Sequence, residues 1–210
     1  EDRSRGQGEG GGGNGSFCLT AAELLERWKV ERWKVVRVCG FFVGINEYDF
    51  KDLDILRGAA SDAQRLCDKM HEKCQGESLL EKECEGRIPR SQLLQKMVKF
   101  RNRVRELPEN PEIGFFYFAG HGRRYGGKDL FLTSDFMPHG PLDSLIVDAE
   151  EGCLTMNTLI IKYLGKFADD TAKFALFDVC RKDPESSSCS LDVTTINKKD
   201  LPPNTLVVFS

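Results

Sequence analysis

The chain is 210 residues long, with 40% hydrophobic and 30% charged residues, ordinary proportions for one globular domain with a sizeable core. Its formal net charge is −3 and it carries no sustained basic stripe, which argues against nucleic acid as a general partner. No apolar run approaches the ~18 residues that span a membrane.

The chain starts Glu1-Asp2-Arg3, with neither Met nor a signal-peptide pattern, so a fragment or processed form is expected. Residues 6–15 are mostly glycine with polar residues, too poor in apolar surface to offset backbone entropy, and are expected to be disordered. Thr20-Ala21-Ala22-Glu23 is a candidate capping box opening a short helix. Glu26-Arg27-Trp28-Lys29-Val30 is then repeated as Glu31-Arg32-Trp33-Lys34-Val35, a duplication too short to be a structural repeat. Residues 1–34 thus read as a tail with a short helix, and residues 35–210 as the ordered domain.

Within the domain, Val35 to Ile45 is a β-branched and aromatic run that predicts a buried strand. Ala59 to Lys73 predicts a helix with Ala63, Leu66, Met70 and Cys67 inward. Ser78 to Glu85 predicts a weak strand. Pro89-Arg90-Ser91 opens a second helix with Leu94, Val98, Arg101 and Val104 at helical spacing, ending before Pro108. Ile113 to Ala119 is the clearest strand, and Asp129 to Thr133 a short one. Thr155 to Phe167 predicts a third helix, Ala172 to Val179 another buried strand, and Thr205 to Phe209 a further one. Alternating strands and helices predict a mostly parallel α/β sheet with helices on both faces. Its site should lie beyond the carboxyl ends of the strands, in loops following Val43, Phe118 and Val179.

Two of those places carry chemistry: Phe118-Ala119-Gly120-His121-Gly122 and Asp178-Val179-Cys180-Arg181-Lys182. A thiol becomes a strong nucleophile when a base takes its proton, and histidine titrates in the right range. Cys180 is therefore the candidate nucleophile and His121 its base. The glycines flanking His121 are expected to make a tight, exposed turn open to a substrate backbone. The backbone N–H groups of Gly122 and Cys180 are the candidate oxyanion donors. Of the eight cysteines, the rest form no CxxC pair and no trusted metal-ligand spacing. With no secretory segment, reduced thiols in an intracellular, cytoplasmic protein are expected.

Phe115-Phe116-Tyr117-Phe118-Ala119-Gly120-His121-Gly122 resembles the hydrophobic strand and Gly-His-Gly of caspase-like cysteine peptidases. Leu176-Phe177-Asp178-Val179-Cys180-Arg181-Lys182 resembles the nucleophile segment of paracaspases. Phe41-Phe42-Val43-Gly44-Ile45-Asn46 and Leu56-Arg57-Gly58-Ala59-Ala60-Ser61-Asp62-Ala63 resemble metacaspase segments. The motifs fall in family order. The histidine stands 59 residues before the cysteine, against about 50 in caspases.

The resemblance implies a three-layer caspase-haemoglobinase fold of the large-subunit (p20) type, with the C-terminal, small-subunit part missing. It also implies a thiol endopeptidase acting on protein or peptide substrates. Acidic residues matching Asp62 and Asp178 help line the family's pocket for a basic side chain, so cleavage after Arg or Lys is expected. An Asp62 that only favours a helix start, or a caspase-like Asp preference using Arg57, are the competing readings. A catalytically weak regulatory module is a third. Pairing with a second copy through the last strand is implied for the complete protein. Some metacaspases need Ca²⁺, but no EF-hand loop occurs here and Asp169-Asp170 reads as a solvated pair, so no cofactor is expected. The segment Arg181 to Asn204 is rich in breakers and predicts an exposed loop open to self-cleavage at Lys198 or Lys199, or at Asp192 in an Asp-specific enzyme.

Overall fold

Val38-Cys39-Gly40-Phe41-Phe42-Val43-Gly44-Ile45 has no polar face to offer water. In the computed structural model of the chain it forms β1 (Val38–Ile45), buried along its whole length. The structure describes residues 37–74, 78–125, 128–137, 152–156, 158–159, 162–182 and 201–209. The Gly-rich segment, the capping box, the duplicated pentapeptide and the linker residues Asp192, Lys198 and Lys199 lie outside them.

β1 pairs in parallel with β2 (Ser78–Gly86) on one side and with β3 (Ile113–Tyr125) on the other. β3 also pairs in parallel with β6 (Ala172–Lys182), and β6 with β7 (Thr205–Phe209). Five parallel strands thus run in the order β2-β1-β3-β6-β7. β4 (Lys128–Leu132) and β5 (Cys153–Thr155) extend the sheet antiparallel, beyond the end of β1.

Among the described residues, two long helices cover the sheet. α1 (Ala59–Lys73) buries Ala59, Ala60, Ala63 and Cys67. These side chains are small, so the helix lies against the backbone of β1. A Cβ on Gly44 would sit 2.3 Å from the Ala59 carbonyl oxygen, which is why that strand position carries glycine. α2 (Arg90–Arg105) buries Leu93, Met97 and Phe100, and Phe100 packs on Phe41 with ring centroids 5.5 Å apart. Side chains alternate along a strand, so Gly44 and Phe41 face opposite ways and the two helices lie on opposite faces of the sheet. The expected α/β architecture, mostly parallel and covered on both faces, is the one observed.

The α2 face holds the larger core, in which Phe41, Phe116, Phe118, Phe131 and Phe177 are fully buried. Each such ring contributes about 1.5–3 kcal/mol through burial. Lys173, 1% exposed, donates to the carbonyls of Ala168 (2.7 Å), Thr171 (3.0 Å) and Pro203 (3.0 Å). That ties the start of β6 to the chain just before β7.

One expectation is corrected. The inner stripe of α2 is Leu93-Met97-Phe100, while Val98 is 44% exposed. Turning the helix this way buries an aromatic ring that the Leu94-Val98 stripe would have left outside. The helix expected over Thr155 to Phe167 starts one residue later: Thr155 ends β5, paired with Leu130, and its hydroxyl accepts from the Thr158 N–H at 3.2 Å. The described residues between Met156 and Tyr163 are helical, and Leu164–Lys166 is a 3-10 turn that closes the segment.

Candidate active site

β3 continues through Gly120-His121-Gly122 to Tyr125, so the expected turn is absent. Neither Gly120 nor Gly122 has positive φ. Gly120 serves a close approach instead: a Cβ there would lie 2.8 Å from the Tyr48 hydroxyl. That hydroxyl accepts a hydrogen bond from the His121 backbone N–H at 2.8 Å and donates to the Ile45 carbonyl at 3.3 Å. The Tyr48 ring also packs on the His121 ring, centroids 4.9 Å apart. Burial, partly countered by the bond from His121, pushes the Tyr48 phenol above its usual range, so it keeps its proton.

His121 is half-buried, and its Nε2 lies 2.8 Å from the Asp54 carbonyl oxygen. A carbonyl only accepts, so Nε2 carries the proton and Nδ1 is left as the basic nitrogen. The Asp54 carbonyl is held by a pinned connection between β1 and α1. Asn46 N–H donates to Gly86 O (2.7 Å), Asp49 N–H to Ser134 O (2.7 Å) and Leu56 N–H to Asn46 O (2.9 Å). The Asn46 side chain caps α1 by accepting from Ala60 N–H at 2.9 Å. Tyr48 and Asp54 went unrecognised in the sequence. A Gly beside the histidine hints that something packs there, but a backbone carbonyl leaves no signature at all.

The β3–β6 register pairs His121 with Cys180 and Gly122 with Arg181. Register partners in adjacent strands lie about 4.8 Å apart, so the two expected catalytic positions are direct neighbours although 59 residues separate them. Cys180 lies within β6 rather than in a loop after it. Gly122 has a strand on each side, with Phe131 of β4 as its other partner.

Tyr117 and Ala119 point to the same face of β3 as His121, the face that α1 covers. Ala119 pairs with Asp178. The hydroxyl of Tyr117, 4% exposed, lies 3.4 Å from Asp178 Oδ2. Burial pushes the Tyr117 phenol up, and the negative charges of Asp178 and then Asp62 push it further. Both expected carboxylates therefore act on one phenol. Asp178 itself is exposed, so its carboxylate needs no buried partner to sit at a strand end. Asp62 stands in the first turn of α1 and forms an ion pair with Arg65. Arg57 is exposed.

Cys39, Cys67, Cys74 and Cys84 are free thiols. Burial pushes Cys39, Cys67, Cys84 and Cys153 up to about 11, and Cys74 upward as well. A thiol near 11 holds only about one thiolate in ten thousand at pH 7, and the thiolate is the reacting form. Timed alkylation with iodoacetamide and peptide mapping should therefore modify Cys180 well before these four. Their rates should rise about tenfold per pH unit between 7 and 10. Faster labelling of Cys39 or Cys153 at pH 7 would remove Cys180 from the nucleophile role.

Among the described residues, no cluster of three or more His, Cys, Asp or Glu side chains is placed to hold a metal ion, and no helix is long and apolar enough to cross a membrane. The family model described as the caspase domain matches residues 39–209. A comparison with curated proteins found no match.

Proposed function

The chain belongs to the caspase-domain family of cysteine peptidases, and from that premise we propose that it is an endopeptidase of paracaspase or metacaspase type, cleaving after Arg or Lys with Cys180 and His121 as its dyad. The observation that carries this reading is the His121–Cys180 register at the carboxyl ends of β3 and β6, with His121 Nε2 already engaged by Asp54.

In the proposed reaction His121 Nδ1 takes the thiol proton, and the thiolate attacks the scissile carbonyl carbon. The carbonyl electron pair moves to oxygen, where the Cys180 N–H stabilises it. Use of the Gly122 N–H as second donor requires one of its two strand pairings to give way to the substrate. The tetrahedral intermediate then collapses to a thioester as His121 returns the proton to the leaving amine. Water, deprotonated by the same nitrogen, hydrolyses the thioester.

Asp178 and Asp62 are the proposed seat of the substrate's basic side chain. Two carboxylates near one phenol favour a cation, and Tyr117 holds Asp178 toward that place. Arg65 occupies Asp62 in the free protein, so a substrate cation competes with it there. The partners are protein or peptide substrates in the cytoplasm. Among the described residues β7 pairs only with β6, and its other side is the proposed place for a further strand or a second copy.

The test is a panel of fluorogenic peptides differing only before the scissile bond. Arg and Lys peptides should be cut, and Asp peptides should remain intact over the same time. Mass spectrometry of the incubated protein should show linker cuts after Lys198 or Lys199. A preference for Asp, or a Cys180-dependent cut after Asp192, would replace the basic pocket with one built on Arg57.

A further inference from the structure

Strand register sorts the residues around the dyad by face and by charge. Side chains alternate along a strand. Phe118 of β3 and Phe177 and Val179 of β6 belong to the core on the α2 face, and a Cβ on Gly122 would lie 3.0 Å from Val179. The alternation therefore runs unbroken past the dyad, and Asp178, Cys180, Lys182, His121 and Arg123 are positions of the other face. Three successive rungs of the β3–β6 ladder fall there: Ala119 with Asp178, His121 with Cys180, and Arg123 with Lys182. Each lies about 6.6 Å beyond the last.

An acidic rung thus precedes the dyad and a doubly basic rung follows it. Arg123 is half-buried. Its partner on the other side, Leu130 of β4, belongs to the buried cluster on which Tyr48, Phe50 and Leu53 pack. The basic rung therefore stands against the footing of the loop that supplies the Asp54 carbonyl to His121. Arg124 and Arg181 are positions of the α2 face, and Asp129 of β4 pairs with Arg124.

The bland explanation is that long basic residues suit strand ends, where their stems cover apolar surface and their heads reach water. That accounts for one cation. It does not account for two on one rung, because adjacent strands lie about 4.8 Å apart and like charges at paired positions repel. A place that an anion visits accounts for both.

We propose that Arg123 and Lys182 select an acidic residue, Asp or Glu, directly after the scissile bond. The inference rests on the proposed cleavage after Arg or Lys by the Cys180–His121 dyad. In that reaction the basic side chain before the bond goes to Asp178, one rung before the dyad. The chain after the bond is left with the opposite direction, toward the basic rung. The amine that His121 protonates begins that segment. The face changes sign at the bond being cut, so the favoured sequence is Arg or Lys followed by Asp or Glu. Charge-assisted bonds to a carboxylate give the choice its strength, and a basic residue at the same place is repelled.

The experiment measures kcat/KM of the whole chain on internally quenched peptides that share Arg before the bond and differ only in the residue after it. Glu is expected to exceed Gln about tenfold, and Lys to fall below Gln. Arg123→Gln and Lys182→Gln should each cut the Glu-to-Gln ratio at least about threefold, and the double variant should bring it close to one. A ratio is insensitive to a general loss of active protein. Lys99→Gln, at an exposed position of α2, should leave it unchanged, and raising the ionic strength should shrink it. Should Arg123→Gln fail to fold, Lys182→Gln decides. Equal cutting of Glu and Gln peptides, or a ratio that survives the double variant, overturns the proposal while leaving cleavage after Arg intact. A second series carries Asp before the bond. If only that series is cut, cleavage after Arg or Lys fails, and the Glu-to-Gln ratio within it still decides the role of the basic rung. If neither series is cut, fluorescence anisotropy with the Cys180→Ala chain decides. The Arg-Glu peptide must then bind at least about fivefold tighter than the Arg-Gln peptide, and the excess must vanish when Arg123→Gln or Lys182→Gln is added.

Discussion

Cys180→Ala is expected to lower kcat/KM toward Arg and Lys peptides by on the order of 10⁴- to 10⁶-fold, while the thermal unfolding midpoint stays within a few degrees of the parent. The size follows from the role: removing the nucleophile of a covalent mechanism leaves only binding and oxyanion stabilisation. No other described thiol can stand in. Cys39 and Cys153 are buried in the core, with their thiols held protonated near 11. His121→Ala should produce a loss of similar order, and the double variant little more, because the pair acts as one unit. Substitution of Tyr48 by Phe is the informative companion. It leaves the ring beside His121 but removes the acceptor of the His121 N–H, so it should reduce kcat with little effect on KM. Activity surviving in Cys180→Ala, once a copurifying peptidase is excluded by a second purification, would end the nucleophile assignment.

Asp178→Asn is expected to reduce kcat/KM for Arg peptides by roughly tenfold to several hundredfold, the equivalent of losing a charge-assisted contact of about 1.5–3 kcal/mol. Asp62→Asn should act in the same direction but less strongly, because Arg65 already neutralises part of the Asp62 charge. Removing that competitor with Arg65→Ala should improve KM for basic substrates by a few fold. Tyr117→Phe frees Asp178 from its 3.4 Å contact and should raise KM while sparing kcat. Any of the acidic variants that gained activity on Asp peptides while keeping its activity on Arg peptides would show that these carboxylates line no basic pocket. Steady-state kinetics on matched Arg, Lys and Asp peptides separates these outcomes.

Strand and helix positions were largely legible in the residues. β1, β3, β6 and β7 are short runs of aromatic and β-branched residues bounded by breakers. The helix predicted from Ala59 to Lys73 is observed over those residues. Legibility failed where a segment's partner is distant. α2 turns Phe100 rather than Val98 inward because Phe41 is waiting there. Gly120 looked like a turn residue and is in fact the space into which Tyr48 fits.

By itself the sequence determined the α/β class, the order of the elements and the residue types able to do thiol chemistry, since these depend on local periodicity and on side-chain identity. Only the tertiary structure decided that His121 and Cys180 share one rung of the sheet. It alone decided that Asp54 supplies a carbonyl to His121 across 67 residues of chain, and that Asp62 and Asp178 both act on Tyr117. The physical reason is common to all three. Register is set by the summed burial of whole strands, and every residue owns a backbone carbonyl, so no single position in the sequence could announce which one would be used.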